Sequence, residues 1–592
     1  MSVGAAFEIR MTDMAGGQND SGFVKSVCSV LAAATALTAC GGGGTSSPPS
    51  QTTAVVTVQP VVPEAPSIGF KDVTSNSGLN VTVGFDLESK AAQNEVATIF
   101  TSGVAAGDYD EDGDIDLFIV RGNLAPNLLF RNDGAMSFTN VSAGAGVGVL
   151  TGVDGNTLRH GAPSFADMDG DGDLDLLIGG LYGDPVVVLS NRGDGTFDDV
   201  SASAGFTSMT AGFTHSPSFG DYDRDGDLDV LFGHWGTTRL RADIGDTEHL
   251  WRNDSDASGI SFTSVSVEAG LAPSILINAD PLQETTGSVD VTDLTFSPSF
   301  ARINDDLWPD ILMVADLNTS QVFLNNGDGS FRNATDFGEI IDGNGMGSAV
   351  GDFDDDGDLD WFVSSIKADN FPPAQLSEIG NRLYRNDQGV FTDITDEAGV
   401  SDGGWGWGSC FADLDNNGDI DIYHTNGWFQ FDDHGDFTTD ESRVFISDGE
   451  GAFTESAVEW RINDRERGRG IVCADFDNDG DLDIIQLHSN ETNAITLWEN
   501  ETDNDANYLI LNLQGQGKNN QAVGAKIKIT VNGKDHYRDV LLSTNFASHN
   551  PTRQHFGVGE NETIDRILVT WPDGTETTLN NVEANQILTI TQ

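Results

Sequence analysis

The sequence predicts an all-β protein, a seven-bladed β-propeller whose N-terminal strand closes the last blade, followed by a small β-sandwich-like domain. Three observations predict it. A set of three short marks recurs seven times along the chain. The segments between them are short apolar strands bounded by Gly, Asp and Asn turns, with almost no helical periodicity, which suits an all-β array whose radial repetition protects the sheet edges. The marks are also out of phase at the two ends, as a closed ring requires and an open solenoid does not.

The chain opens on an address rather than a fold. Residues 24–39 form a short apolar stretch after Lys25, too short to span a membrane but suited to a secretory signal. It ends Leu37-Thr38-Ala39-Cys40 and runs into GGGGTSSPPS. This resembles the bacterial lipoprotein signal, which implies lipidation of Cys40 and anchoring at the outer membrane or extracellular surface of a Gram-negative cell. An ordinary signal peptide cut near Ala39 is the plainer alternative. Residues 1–39 are read as signal and 40–66 as a Gly/Ser/Thr/Pro/Val-rich tether of roughly 25–30 Å typical span.

The propeller is assigned to residues 67–502. Its first mark is an acidic loop of form D-x-D-x-D-G-x-x-D, at 108–116, 167–175, 221–229, 352–360, 413–421 and 475–483, with a damaged copy, RINDDLWPD, at 302–310. The second is a strand ending in a turn: LLFRND, VVLSNR, HLWRND, VFLNNG, RLYRND, VFISDG and TLWENE. The third is a strand beginning at Phe70, Phe138, Phe197, Phe262, Phe331, Phe391 and Phe453. Since the third mark precedes the first acidic loop and never follows TLWENE, the strand at Phe70 supplies the last blade's missing piece.

These loops carry part of a strongly acidic charge. Against 94 acidic residues stand 29 basic ones, a net of −65, which excludes nucleic acid and anionic membrane as general partners. Carboxylates at alternate positions around a glycine suit calcium, which takes six to eight oxygens at about 2.3–2.6 Å in a flexible shell. Magnesium, with its tighter octahedron, suits less. The candidate ligands are Asp108, Asp110, Asp112, Asp114 (through its carbonyl) and Asp116 in the first loop. They are Asp167, Asp169, Asp171, Asp173 and Asp175 in the second, and Asp221, Asp223, Asp225, Asp227 and Asp229 in the third. Asp352, Asp354, Asp356, Asp358 and Asp360 follow, then Asp413, Asp415, Asn417, Asp419 and Asp421, then Asp475, Asp477, Asp479, Asp481 and Asp483. About six structural calcium ions are expected. An acidic turn that only solvates a blade edge is the plain reading of one copy, and six copies in register weigh against it. In the damaged loop Arg302 takes the first position and Leu307 replaces the glycine, so no metal is expected there, and Arg302 is expected to pair with Asp306 or Asp310.

These loops resemble the FG-GAP/VCBS repeats of integrin α-chain propellers over residues 70–500 or so. Residues 503–592 lose the acidic loop and gain lysine. Val523-Gly524-Ala525, His555-Phe556-Gly557-Val558-Gly559 and the Trp571-Pro572-Asp573-Gly574 turn resemble the ASPIC/UnbV domain. Propeller plus this module is the layout of the cartilage acidic protein family and its bacterial members, which implies an extracellular calcium-binding protein and no reaction.

Other motifs are weighed and set aside. Arg192-Gly193-Asp194 is read as a turn. Cys410 and Cys473, at different offsets from equivalent loops, are expected to be two small buried residues rather than a disulfide. His160, His215, Arg159, Arg469, Trp405 and Trp407 precede the acidic loops and would line the channel, as a glycan-binding or catalytic pocket or as ordinary strand residues. His234, His424 and His488 look incidental. With no nucleophile–base constellation, zinc spacing or phosphate loop, the expected function is adhesion or scaffolding at the cell surface through a protein or glycan ligand, with self-assembly into oligomers or filaments as an extension. A periplasmic or secreted enzyme acting on glycans through the channel is the alternative.

Overall fold

A computed structural model describes residues 68–592 except 84–99, 149–157, 241–246, 279–289, 368–378, 432–434, 490–493 and the single positions 101, 123, 305, 429, 503 and 544. The signal, Cys40 and the tether lie outside the described residues.

Each acidic loop joins the first two strands of an antiparallel sheet. Among the described residues there are seven such sheets of four propeller strands, here blades 1 to 7. Blade 1 contains Val104–Gly107, Asp116–Ile119, Leu128–Asn132 and Phe138–Asn140. Blades 2 to 6 repeat the meander, with innermost strands His160–Ala166, His215–Gly220, Thr295–Ala301, Ser348–Gly351 and Gly406–Ala412. Blade 7 has Gly468–Ala474, Asp483–His488 and Ile495–Asn500 from the end of the repeat region, and its outer strand is Phe70–Asp72. That strand pairs antiparallel with Ile495–Asn500, Phe70 opposite Asn500. The phase shift in the sequence is the N-terminus completing the last blade.

The apolar runs after each loop are continuous because both faces of a blade are covered. In Asp116–Ile119, Leu117 and Ile119 pack with Val472, Ile485 and Leu497 of blade 7. Phe118, pointing the other way, packs with Phe165, Leu176 and Leu189 of blade 2. Equivalent clusters join each further pair of neighbours, from Phe219 and Val230 against Leu177 of blade 2 to Ile471 and Ile484 against Tyr423 of blade 6. The molecule is a β-propeller.

The C-terminal domain is two sheets over a shared core. Gln554–Gly559, Asn507–Gln514 and Gln586–Thr591 form one, and Lys534–Asp539, Lys526–Val531, Thr563–Thr570 and Glu576–Glu583 the other. Leu509, Ile527, Ile529, Phe556, Ile567 and Trp571 are buried between them. The domain packs with the propeller as one compact unit, Pro66–Gln592. Between Asp539 and Gln554 its chain dips into the propeller axis. Ser548–His549 pairs parallel with Val104–Ala105, and Phe546 is buried among Phe100, Phe296 and Trp407.

Two expectations are corrected. Cys410 and Cys473 form a disulfide, their Cα atoms 6.8 Å apart, joining the innermost strands of blades 6 and 7. Cys410 stands three residues before its loop and Cys473 two. Strand side chains alternate, and adjacent blades meet through opposite faces, so opposite parity brings the two thiols together. Arg302 does not pair with Asp306 or Asp310. Its Nη2 lies 3.4 Å from Asp539 Oδ1 of the C-terminal domain, a partner distant in sequence.

Candidate metal centres

The six intact loops share one backbone. Their sixth-position glycines, Gly113, Gly172, Gly226, Gly357, Gly418 and Gly480, have φ of 96, 111, 99, 97, 99 and 102°. Only glycine adopts that region easily. The fourth residue of each is left-handed too, Glu111, Arg224, Asp355, Asn416 and Asn478 at 58–60° and Gly170 at 77°. In the damaged loop Leu307 does not take the glycine conformation.

This turn gathers the carboxylates. Asp108, Asp110 and Asp116 bring oxygens within 4.8 Å of one another, as do Asp167, Asp169 and Asp175, then Asp221, Asp223 and Asp225. Asp352, Asp354 and Asp356, and Asp413, Asp415 and Asp421, make two more. The first-position aspartate accepts the loop's own amides, Asp108 Oδ1 from Asp112 and Oδ2 from Gly113, both 3.0 Å. The ninth is buried and pins the loop to the sheet. Asp116 Oδ2 accepts the Tyr109 amide at 3.0 Å and Oδ1 the Asn132 amide at 2.8 Å. Asp310 of the damaged loop keeps both bonds, to Ile303 and Asn325.

These carboxylates fit a cation. Oδ1 of Asp110, Asp169, Asp221, Asp223, Asp413 and Asp477 is buried with no partner, and an unpaired buried carboxylate oxygen is costly. Burial first, and then the neighbouring carboxylates, pushes Asp108 up to about 6 and Asp352 to about 8. Asp413 rises to about 7 and Asp116 to about 8, burial again leading. A divalent cation removes both penalties, and the all-oxygen donor set suits calcium.

The asparagine of the second mark, which sequence reasoning passed over, clasps adjacent blades. Asn191 Nδ2 donates to Leu174 O of its own loop at 3.1 Å and to Tyr109 O of blade 1 at 3.0 Å. Asn253, Asn325, Asn386 and Asn500 do the same with Met168, Tyr222, Ile303 and Leu414 of the preceding blade. Asn132 of blade 1 reaches Phe476 of blade 7 at 2.7 Å, closing the circuit. The signal was visible as a recurrent Asn before the turn. In blade 6 the residue is Ser447.

The C-terminal domain covers the acidic-loop face and touches every loop. Arg553 donates to Gly113 O of blade 1 at 2.9 Å and to Asn478 Oδ1 of blade 7 at 2.8 Å. Asn520 holds Asp167 of blade 2, and Lys518 lies 2.5 Å from Asp227 of blade 3. Asp539 takes Arg302 of blade 4. Lys534 bridges Asp355 of blade 5 at 3.1 Å and Asp419 of blade 6 at 2.8 Å. A cavity of about 160 Å3 remains between the domain and blades 1 and 4 to 7, its lining including Asp413, Asp475, Arg538 and His555. Its unpartnered Arg538 Nη2, Ser299 Oγ and Ser543 Oγ suit ordered water.

The FG-GAP-like repeat model matches residues 108–178, 167–232, 302–363, 376–424 and 433–485, and the ASPIC and UnbV model matches residues 515–592. The chain is an FG-GAP-repeat protein with an ASPIC/UnbV domain. It is homologous to cartilage acidic protein 1, 24% identical to the Homo sapiens protein over 529 residues, 82% of this chain and 71% of that one. The Mus musculus protein is 23% identical over 522 residues, 82% and 73%. Among solved structures, an Agrocybe aegerita lectin that recognises non-reducing terminal N-acetylglucosamine is 19% identical, with TM-score 0.37, covering 68% of this chain and 94% of that one.

Among the described residues, an apolar cluster with Phe100, Trp235, Phe296, Trp407 and Phe546 packs in the channel of this FG-GAP/UnbV chain. His160 lies 2.9 Å from Asn127 Nδ2, His215 Nε2 accepts the Trp235 amide at 3.2 Å, and Arg159 pairs with Asp184 at 2.8 Å. Burial holds His160 and His215 down at about 4 and about 3, so both are neutral at neutral pH. Arg469 is fully buried over Trp407 at 4.2 Å, and Trp405 stacks on Trp428 at 5.1 Å. Phe546 packs on Trp407, ring centroids 5.1 Å apart. His234, His424 and His488 are buried. The ring of His234 contacts Phe213 O and Glu248 O, His424 meets Asn381, and His488 lies 3.1 Å from Asp464. Arg192-Gly193-Asp194 is a turn, with Gly193 at φ 67° and Arg192 paired with Asp198.

Proposed function

We propose that this chain acts outside the cell as a calcium-stabilised binding or scaffold protein, tethered to the surface through Cys40, and that it engages a protein or glycan ligand with the propeller face opposite its C-terminal domain. The observation that carries the reading is the set of carboxylate clusters whose buried oxygens lack partners. Calcium neutralises each cluster, and its binding free energy adds to that of folding. The Cys410–Cys473 disulfide supports an oxidising compartment. No helix among the described residues is long and apolar enough to cross a membrane. The apolar cluster in the channel and the neutral, partnered His160 and His215 favour binding over glycan hydrolysis. Head-to-tail self-association belongs to the same proposal, and sedimentation with calcium at high protein concentration tests it.

The principal test is thermal unfolding of residues 41–592 with calcium and after exhaustive chelation, with bound metal counted by elemental analysis. About six ions per chain (one per intact loop) and a large fall in Tm on chelation are expected. No bound calcium with an unchanged Tm would sink the reading.

A further inference from the structure

The six intact loops share a backbone but not their surroundings. In blades 1, 3, 5 and 7 the first-position aspartate takes its hydrogen bonds from its own loop, as at Asp221 from Gly226, Asp352 from Asp356 and Gly357, and Asp475 from Asp479 and Gly480. In blades 2 and 6 the C-terminal domain adds one. The Gly557 amide donates to Asp413 Oδ2 at 3.0 Å, beside the Gly418 amide at 2.9 Å. The other oxygen, Asp413 Oδ1, is buried and unpartnered. Two residues on, the Gly559 amide donates to Asn416 O of the same loop at 2.8 Å. In blade 2 the Asn520 side chain donates to Asp167 Oδ2, and Gln521 Oε1 accepts the Asp167 amide at 2.9 Å. The fit at blade 6 admits no side chain. A Cβ on Gly557 would lie 2.2 Å from Asp413 Oδ2 and 2.4 Å from the Asn416 backbone.

We propose that the C-terminal domain forms the outer shell of the blade 2 and blade 6 calcium sites, through Asn520 and Gly557, making these two the tight sites of the six and linking their occupancy to its own docking. The proposal rests on the six loops being calcium sites. A ligating carboxylate held by an outer hydrogen bond meets the ion already oriented, and loss of such a partner weakens metal binding by about 10–100-fold. The linkage is reciprocal, so calcium at these two sites holds the domain down.

Calcium titration of the full 41–592 chain against a competing fluorescent chelator reads the affinities directly. The unaltered protein is expected to show two tight sites and four weaker ones. Asn520→Ala should weaken one tight site by about 10–100-fold and leave the four weaker ones alone, with Asn520→Gln restoring part of the loss. Gly557→Ala should do the same to the other tight site and raise hydrogen exchange in 545–550. Near-UV circular dichroism at saturating calcium reports whether each variant is folded, and should Gly557→Ala fail to fold, Asn520→Ala with its rescue decides. Six equivalent sites, or a tight pair untouched by Asn520→Ala, would overturn the proposal while leaving the loops as calcium sites. A protein that binds no calcium would overturn both.

Discussion

The ninth-position aspartate and the second-mark asparagine show how much one side chain does in this ring. Asp116 and its six counterparts tie a loop to its own sheet, and Asn191 and its counterparts tie a sheet to the one before. Removing the asparagine leaves two buried carbonyls without that donor. Asn191→Ala is therefore expected to destabilise by about 2–4 kcal/mol, read as the shift in urea midpoint with calcium saturating. The converse change lies in blade 6, where Ser447 cannot span to blade 5. Ser447→Asn is expected to stabilise by about 1 kcal/mol. The aspartate was legible in the sequence as part of the acidic loop. The asparagine's role was not, because its acceptor Tyr109 lies 82 residues earlier on another blade.

At the scale of strands, what could be read from sequence was what alternates or repeats. The run from Asp116 to Ile119 is apolar on both faces because each face meets a different blade. The strand at Phe70 could be assigned to blade 7 by counting marks. The stretch from Leu541 to Asn550 has no period, and its described residues form the two-residue strand Ser548–His549 and a bridge from Leu542 to Phe219, so its place in the channel was illegible. The cysteines misled for a different reason. Unequal offsets look like a mismatch within one sheet, but across two sheets facing each other they are the condition for contact. The disulfide closes a sequence separation of 63 residues. Cys410→Ser with Cys473→Ser is expected to cost about 2–4 kcal/mol, and calorimetry of the calcium-loaded protein measures it.

For the whole molecule the balance of charge decides behaviour. The chain's net charge is −65, and Lys518, Lys526, Lys534 and Arg553 of the C-terminal domain are held against the acidic loops they cover. In the metal-free protein Asp116 and Asp352 are raised to about 8, and Asp475 and Asp481 to about 7, burial being the main cause. The folded state then holds more protons than the unfolded chain, whose carboxyls titrate near 4, so stability falls as pH rises through this window. His160, His215, His424, His549 and His555, held down by burial, act in the opposite sense, but only below about 6.5, where the unfolded chain takes up protons. Between pH 6.5 and 8.5 the Tm of the metal-free protein is therefore expected to fall, and that of the calcium-loaded protein to stay level. A metal-free Tm that climbs across that range would contradict the assignment.

The N-terminal closing strand also sets an order of assembly. Lys71 meets Glu501 across 430 positions of chain, so during synthesis the strand Phe70–Asp72 emerges first and finds its partner last. Until blade 7 exists, blade 1 lacks its neighbour on that side and Leu117 and Ile119 face water. The ring therefore cannot mature blade by blade as an open repeat array can. Its final join waits for nearly the whole polypeptide, and a chain cut short before Ile495 has no edge on which the first strand can settle.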